Sequence, residues 1–247
     1  MENELRPVWS RIFNFNWKFG LFLVLVICIP RFILVLIANS TGNYGSIGLI
    51  MLISAVAPFL FLTKYGRKKI GLTRPRKYSG LVLALIAGLI VSFLLYYIGQ
   101  SIYGNHYENW YNYIGRSYKI PTQINSHDKA ILFAVVALTG MIFSPIGEEL
   151  FFRGIVHASF ANSIGEKKAS IVDSSAFAVT HISHFGFVYI NQQWHFLTTS
   201  TLIWVVSMFL VSVLFFVFKQ YSGSILGAIT CHAAFNLGMI YCIFYLL

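Results

Sequence analysis

Acidic side chains are scarce in this chain: eight Asp and Glu among 247 residues, against 18 Lys and Arg, with 11% of residues charged. A soluble domain of this length carries about 25% charged residues, so a water-solvated globular fold is excluded. Cysteine is scarcer still. Cys28, Cys231 and Cys242 all sit in apolar runs without CxxC spacing, which argues against a disulfide framework or a thiolate metal site and leaves them as small apolar side chains. HExxH and GxSxG are both missing, so neither a zincin helix nor a nucleophile elbow is present. No Ser or Cys has a base at short spacing. There is no internal repeat of about 20–50 residues, no low-complexity tract and no soluble domain.

What the chain has is apolar length: 57% hydrophobic residues and a mean hydropathy of +0.70. Apolar runs occupy 17–38, 44–63, 79–99, 130–146 (with apolar sequence continuing past 150), 169–190, 197–218 and 223–246. Each is long enough to approach or cross a hydrocarbon core about 30 Å thick. The expected fold is all-α, a polytopic transmembrane bundle of about seven to eight membrane helices. The first run is too long for the apolar core of a signal peptide and has no small-residue cleavage site after it, so it is expected to remain as a helix.

The net charge of +10 could suggest nucleic acid, but its placement points elsewhere. Seven basic residues crowd the loop KYGRKKIGLTRPRK at 64–77, and Arg6, Arg11 and Lys18 precede or open the first helix. Arg153, Lys167, Lys168 and Lys219 mark further connections on that side, whereas the connections around 39–44 and 190–195 carry none. Lys/Arg excess marks cytoplasmic loops. The expected topology has seven spans, a cytoplasmic N-terminus and an outer C-terminus, with the basic loop against anionic membrane lipids and no nucleic-acid partner. The one substantial loop, 100–127, is rich in Tyr, Asn and Trp, which suits an interfacial belt on the outer face.

Polar residues inside the apolar runs carry the functional signal. Glu2, Glu4, Glu108, Asp128 and Glu166 fall in tails and loops, leaving Glu148, Glu149 and Asp173 within or beside apolar runs. An ionised side chain at a helix centre costs about 2.5–3.5 kcal/mol on insertion scales and usually faces a cavity. In PIGEELFFRG, 145–154, Arg153 can neutralise Glu149 at i,i+4, but Glu148 has no local partner. Pro30-Arg31 interrupts the first helix; Arg31 is expected to snorkel outward or find a partner, and no chemistry is assigned to it. In DSSAFAVTHISH, 173–184, a helical period gathers Asp173, Phe177, His181 and His184 on one stripe. CHAAFN, 231–236, places His232 and Asn236 on one face, where they can also serve as interhelical hydrogen-bond glue. Such groups suit hydrolysis: a carboxylate as general base on water, with imidazole and carboxamide donors for an oxyanion. Glu, His and His could equally bind Zn²⁺.

These three pieces, in this order, resemble the CPBP family of CAAX proteases and bacteriocin-processing or self-immunity proteins, also called Abi. Its motifs EExxxR, FxxxH and HxxxN read here as Glu148-Glu149-x-x-x-Arg153, Phe177-x-x-x-His181 and His232-x-x-x-Asn236. The resemblance covers about residues 130–240 and divides the chain into N-terminal transmembrane helices, 1–127, and a catalytic core, 128–247. It implies an intramembrane endopeptidase with a cavity opening to the cytoplasmic side, cutting a peptide or a lipidated protein terminus. Glu148 would activate water, His181 would help hold it, and His232 and Asn236 would stabilise the oxyanion. Glu149, Arg153 and Phe177 would brace the site; Asp173 and His184, and less so His157, are candidates for supporting them. The cofactor is open: either a divalent metal such as zinc on Glu148, His181 and His232, or a metal-free mechanism. A bacterial cell-membrane protein is the inclination, with roles in bacteriocin self-immunity or secreted-peptide maturation. The alternatives are a non-enzymatic immunity protein that shields a bacteriocin target, and a Glu/His proton-relay transporter.

Depth sets a condition on this reading. At about 1.5 Å per residue, Glu148 stands roughly 28 Å along its helix from Lys129, His181 about 19 Å from Lys168, and His232 about 15 Å into its own helix. Straight helices would place the three at different levels. A break at Pro145 and Gly147 is therefore expected, making 148–162 a tilted or separate helix.

Overall fold

The computed structural model describes residues 3–247 and is an all-helical membrane bundle with one short hairpin. A brief N-terminal turn, α1 (Pro7–Ser10), leads to α2 (Trp17–Thr41), whose Asn16 side chain caps the backbone N–H groups of Lys18 and Phe19. Then follow α3 (Gly45–Phe61), the basic α4 (Lys64–Lys69), α5 (Ser79–Tyr103) and α6 (Trp110–Gly115) in the aromatic loop. The long α7 (Ser126–Glu149) passes through a π-helical stretch, Leu150–Val156, into α8 (His157–Ile164). Next come α9 (Glu166–Thr180), a 3₁₀ turn at His181–Ser183, the antiparallel pair β1 (Phe187–Ile190) and β2 (Gln193–Phe196), α10 (Thr198–Ser222) and α11 (Ile225–Tyr245).

Five helices are long and apolar enough to cross a membrane: Trp17–Thr41, Ser79–Tyr103, Ser126–Ile164, Thr198–Ser222 and Ile225–Tyr245. The shorter apolar helix Gly45–Phe61 packs among them. The protein is an integral membrane protein, and its lipid-facing surface is a coat of exposed Leu, Ile, Val and Phe. The expected span at 169–190 is not a single helix. Helix α9 ends at Thr180, and FVYINQQWHF turns back as a hairpin over Asn191 and Gln192, both at positive φ, 51° and 62°. Gly186, at φ 140°, makes the corner before it, a conformation closed to side chains with a Cβ.

The break expected at Pro145 does not occur there. The helix continues through Pro145 to Glu149 and widens into the π stretch only from Leu150. Membrane helices tolerate proline because neighbouring groups re-satisfy the backbone it frees. The continuous run Ser126–Ile164 has 39 residues, about 58 Å at helical rise. Glu148 is therefore near the middle of this run rather than at its end, and it lies 3.8 Å from His181 without a separate helix. Two close approaches set this geometry. A Cβ on Gly147 would lie 2.6 Å from the Met51 carbonyl oxygen, so α7 rests on the α3 backbone one residue before Glu148. A Cβ on Gly88 would collide with the Cys231 carbonyl, bringing α5 directly onto α11 beside His232.

Candidate active site

Four elements bring the polar side chains together. Glu148 comes from α7, where one carboxylate oxygen accepts from the Arg31 guanidinium at 2.9 Å and from the Ser144 hydroxyl one turn earlier. Its other oxygen has no hydrogen-bond partner and lies 3.8 Å from His181 Nε2. His181 begins the 3₁₀ turn that ends α9, and its Nδ1 meets the Phe177 carbonyl at 2.7 Å. A carbonyl only accepts, so Nδ1 carries the proton, and in the neutral tautomer this fixes, the Nε2 lone pair points to Glu148. The Phe177 ring packs at a tilt against His181, with centroids 4.2 Å apart. This gives the FxxxH spacing a mechanical meaning: one helical turn supplies both the ring and the carbonyl that fix the imidazole.

Glu149 faces away from Glu148 and takes the other histidine. Its Oε1 is 2.7 Å from His232 Nδ1, and its Oε2 is 3.1 Å from Arg153 Nε. Arg153 also donates to the Ser212 hydroxyl at 2.7 Å and lies 4.3 Å from the centre of the Phe177 ring, a cation–π contact in a dry environment. His232 stacks on Phe215, with centroids 4.6 Å apart. The adjacent glutamates thus divide the labour: Glu149 fixes His232 and Arg153, while Glu148 keeps one oxygen free. Asn236, one turn after His232, donates from Nδ2 to the Gly140 carbonyl at 2.9 Å and has a second amide proton left over.

Glu148, His181, His232 and Asn236 line one cavity of about 370 Å³, together with Arg31, Phe177 and His184. From these groups the lining runs up α3, α7 and α11 to Tyr44, Ser117 and Tyr118, on the face opposite the basic loop. Phe177 and Phe215, with Arg153 behind them, border its inner end. The cavity therefore leads away from the Lys/Arg-rich connections.

The remaining sequence candidates separate. His184 belongs to the cavity: its Nε2 is 3.4 Å from Arg31, and its ring lies beside that of His181. Asp173 does not reach this group. It pairs at 2.6 Å with buried His157, whose other ring nitrogen meets the exposed Glu166 at 2.8 Å, a second cluster nearer the basic face. The contribution of Arg31 was missed. Its signal was a lone cation inside the first apolar helix, next to a carboxylate with no partner of its own. The proposed metal set fits poorly. Among the described residues no three His, Cys, Asp or Glu side chains are grouped closely enough to hold one ion, and the Arg31 guanidinium already neutralises the Glu148 carboxylate.

No curated protein and no solved structure matches the chain. A family model does, over residues 130–238, and its description is Type II CAAX prenyl endopeptidase Rce1-like. The matched segment is less than half of the chain; it contains the three motifs and all four cavity-lining candidates, and there the chain is similar to the Rce1-like type II CAAX prenyl endopeptidases.

Proposed function

We propose that this protein is an intramembrane endopeptidase in which Glu148 activates water against a peptide bond. One observation carries the reading: Glu148, His181, His232 and Asn236 come from three separate stretches of chain and border one cavity within the bundle. The family supports a protease in general; the residue roles rest on the geometry.

The free oxygen of Glu148 and Nε2 of His181 are both acceptors at this spacing, so a water can donate one proton to each and turn its lone pair to the cavity. As the oxygen attacks the scissile carbonyl carbon, Glu148 takes the proton. The carbonyl becomes a tetrahedral oxyanion, which the second Asn236 amide proton and His232 can meet. With Nδ1 committed to Glu149, His232 donates through Nε2 only as imidazolium. Collapse breaks the C–N bond, and the proton held by Glu148 passes to the leaving amine. Phe177 holds His181 in place, and Arg153 with Glu149 holds His232.

The cavity is bordered chiefly by apolar and aromatic side chains, which suits an extended apolar segment at the membrane: a lipidated protein terminus or a membrane-associated peptide such as a secreted-peptide precursor or a bacteriocin. Lys/Arg bias supports a cytoplasmic N-terminus and basic loop, in a bacterial cell membrane whose anionic lipids that loop would contact. The test is cleavage and bacteriocin resistance in cells carrying Glu148→Ala or His181→Ala at matched expression. Loss of both activities is the expected result; full cleavage by both variants would remove proteolysis. Loss of resistance with no cleavage by the unaltered protein would point to a binding protein instead.

A further inference from the structure

We infer that Arg31, from a helix outside the matched segment, is the positioning residue for the candidate base Glu148. This rests on the proteolytic reading and adds to it a part that the three motifs do not contain. Arg31 and Glu148 are 117 positions apart in the chain, both buried, and joined at 2.9 Å. Among the described residues Arg31 has no other carboxylate in ion-pair reach. Its remaining neighbour is His184, at 3.4 Å from the same Nη2, and its Nε has no partner.

The geometry is asymmetric. Arg31 and Ser144 both bind the same oxygen of Glu148, and the other is left open beside His181 at the cavity wall. A carboxylate held by one oxygen keeps a single rotamer, and its free oxygen keeps a fixed direction. That is what a group receiving a proton from a bound water needs, since misplacement by about 1 Å costs roughly 10²-fold. The guanidinium also compensates a carboxylate charge that would be costly alone in the membrane interior. Charged or titratable groups from three other elements share the cavity with Glu148: Arg31 on α2, His181 and His184 after α9, and His232 on α11. Arg31 is the one permanent cation among them. Helix α2 is therefore part of the site, and residues 130–238 alone lack the group that orients the base.

The experiment uses the full chain in lipid vesicles with a fluorogenic peptide, for Arg31→Gln, Arg31→Lys, Glu148→Gln and Glu148→Asp. Arg31→Gln is expected to lower kcat by about 10- to 100-fold with KM nearly unchanged, the usual effect of losing a group that orients another. Arg31→Lys should recover part of it. Against a Glu148→Asp background, whose shortened carboxylate has already left its anchor, Arg31→Gln should cost far less than in the natural chain. If Arg31→Gln does not fold, Arg31→Lys supplies the same comparison, because it keeps the buried charge. Wild-type kcat in the Arg31 variants while Glu148→Gln is inactive would overturn the inference alone. A raised KM, or an equal cost in both backgrounds, would also overturn it, showing that Arg31 acts directly on substrate. Full cleavage by Glu148→Gln would instead sink the proteolytic reading itself.

Discussion

Two carboxylate–histidine clusters, each around a buried carboxylate, occupy the same half of the chain, and they are built differently. In one, His157 stands between Asp173 at 2.6 Å and Glu166 at 2.8 Å, with both ring nitrogens engaged. In the other, Glu148 and His181 stand 3.8 Å apart across a cavity wall, and one carboxylate oxygen has no partner. The same residue types therefore do different work. A saturated cluster has spent its donors and acceptors on holding α8 and α9 together. A cluster with an unpartnered acceptor at a cavity wall has something left for a substrate. Buried polar atoms without partners are rare in folded proteins, and their place here is a stronger pointer to chemistry than the residue names.

The sharpest way to break the comparison is substitution at Glu148. Glu148→Gln keeps the shape and removes the base; cleavage is expected to fall by about 10²–10⁴-fold, measured as initial rate at equal protein. His232→Ala should follow, with a loss of about 10²–10³-fold in kcat, because it deletes an oxyanion donor and leaves the Glu149–Arg153 pair standing. On the other cluster the effect should move from rate to stability. Asp173→Asn takes one carboxylate from a doubly bonded histidine and is expected to destabilise the protein by up to about 3–5 kcal/mol, read as a lower Tm in detergent, with kcat of the remaining folded protein within a few fold. If Asp173→Asn instead abolished turnover without changing Tm, the two clusters would not be separable.

The smallest effect belongs to the surface. Lys69 bridges Glu4 at 2.7 Å and Asn162, tying the N-terminal segment to the end of α8. Partial burial alone would raise the Glu4 carboxyl, but Lys69 outweighs it and holds the group below its usual range. A depressed carboxyl contributes stability above its unfolded pKa, about 4.3, and loses it as pH falls through the lower folded value. Exposed as the pair is, Glu4→Gln should cost less than about 1 kcal/mol, and the difference from the natural chain should vanish in acid melts.

Much of the bundle was legible because membrane length and hydropathy leave little choice: the runs at 17–38, 79–99, 197–218 and 223–246 became helices of 21–25 residues. The segment 169–190 misled because its last residues, FVYI, are as apolar as a helix; the turn at Asn191-Gln192 just beyond them marked the hairpin. Pro145 misled in the opposite way, since a proline in a membrane helix does not force a break. In the candidate site, i,i+4 spacing gave Glu149 with Arg153 and Phe177 with His181 as local pairs. The contacts between Glu149 and His232 and between Arg31 and Glu148 cross 83 and 117 positions; no helical period can express them. Asp173 shares a stripe with His181, yet the stripe spans enough turns to serve two different clusters.

The most direct measurement is single-turnover cleavage of a membrane-associated peptide by the purified protein in vesicles, with natural Glu148 and with Glu148→Gln, in ¹⁸O-labelled water. The expected result is one ¹⁸O in the new carboxyl terminus with the natural chain, and product formed about 10²–10⁴-fold more slowly with an equally stable Glu148→Gln protein. Equal product from both would contradict a Glu148-activated water.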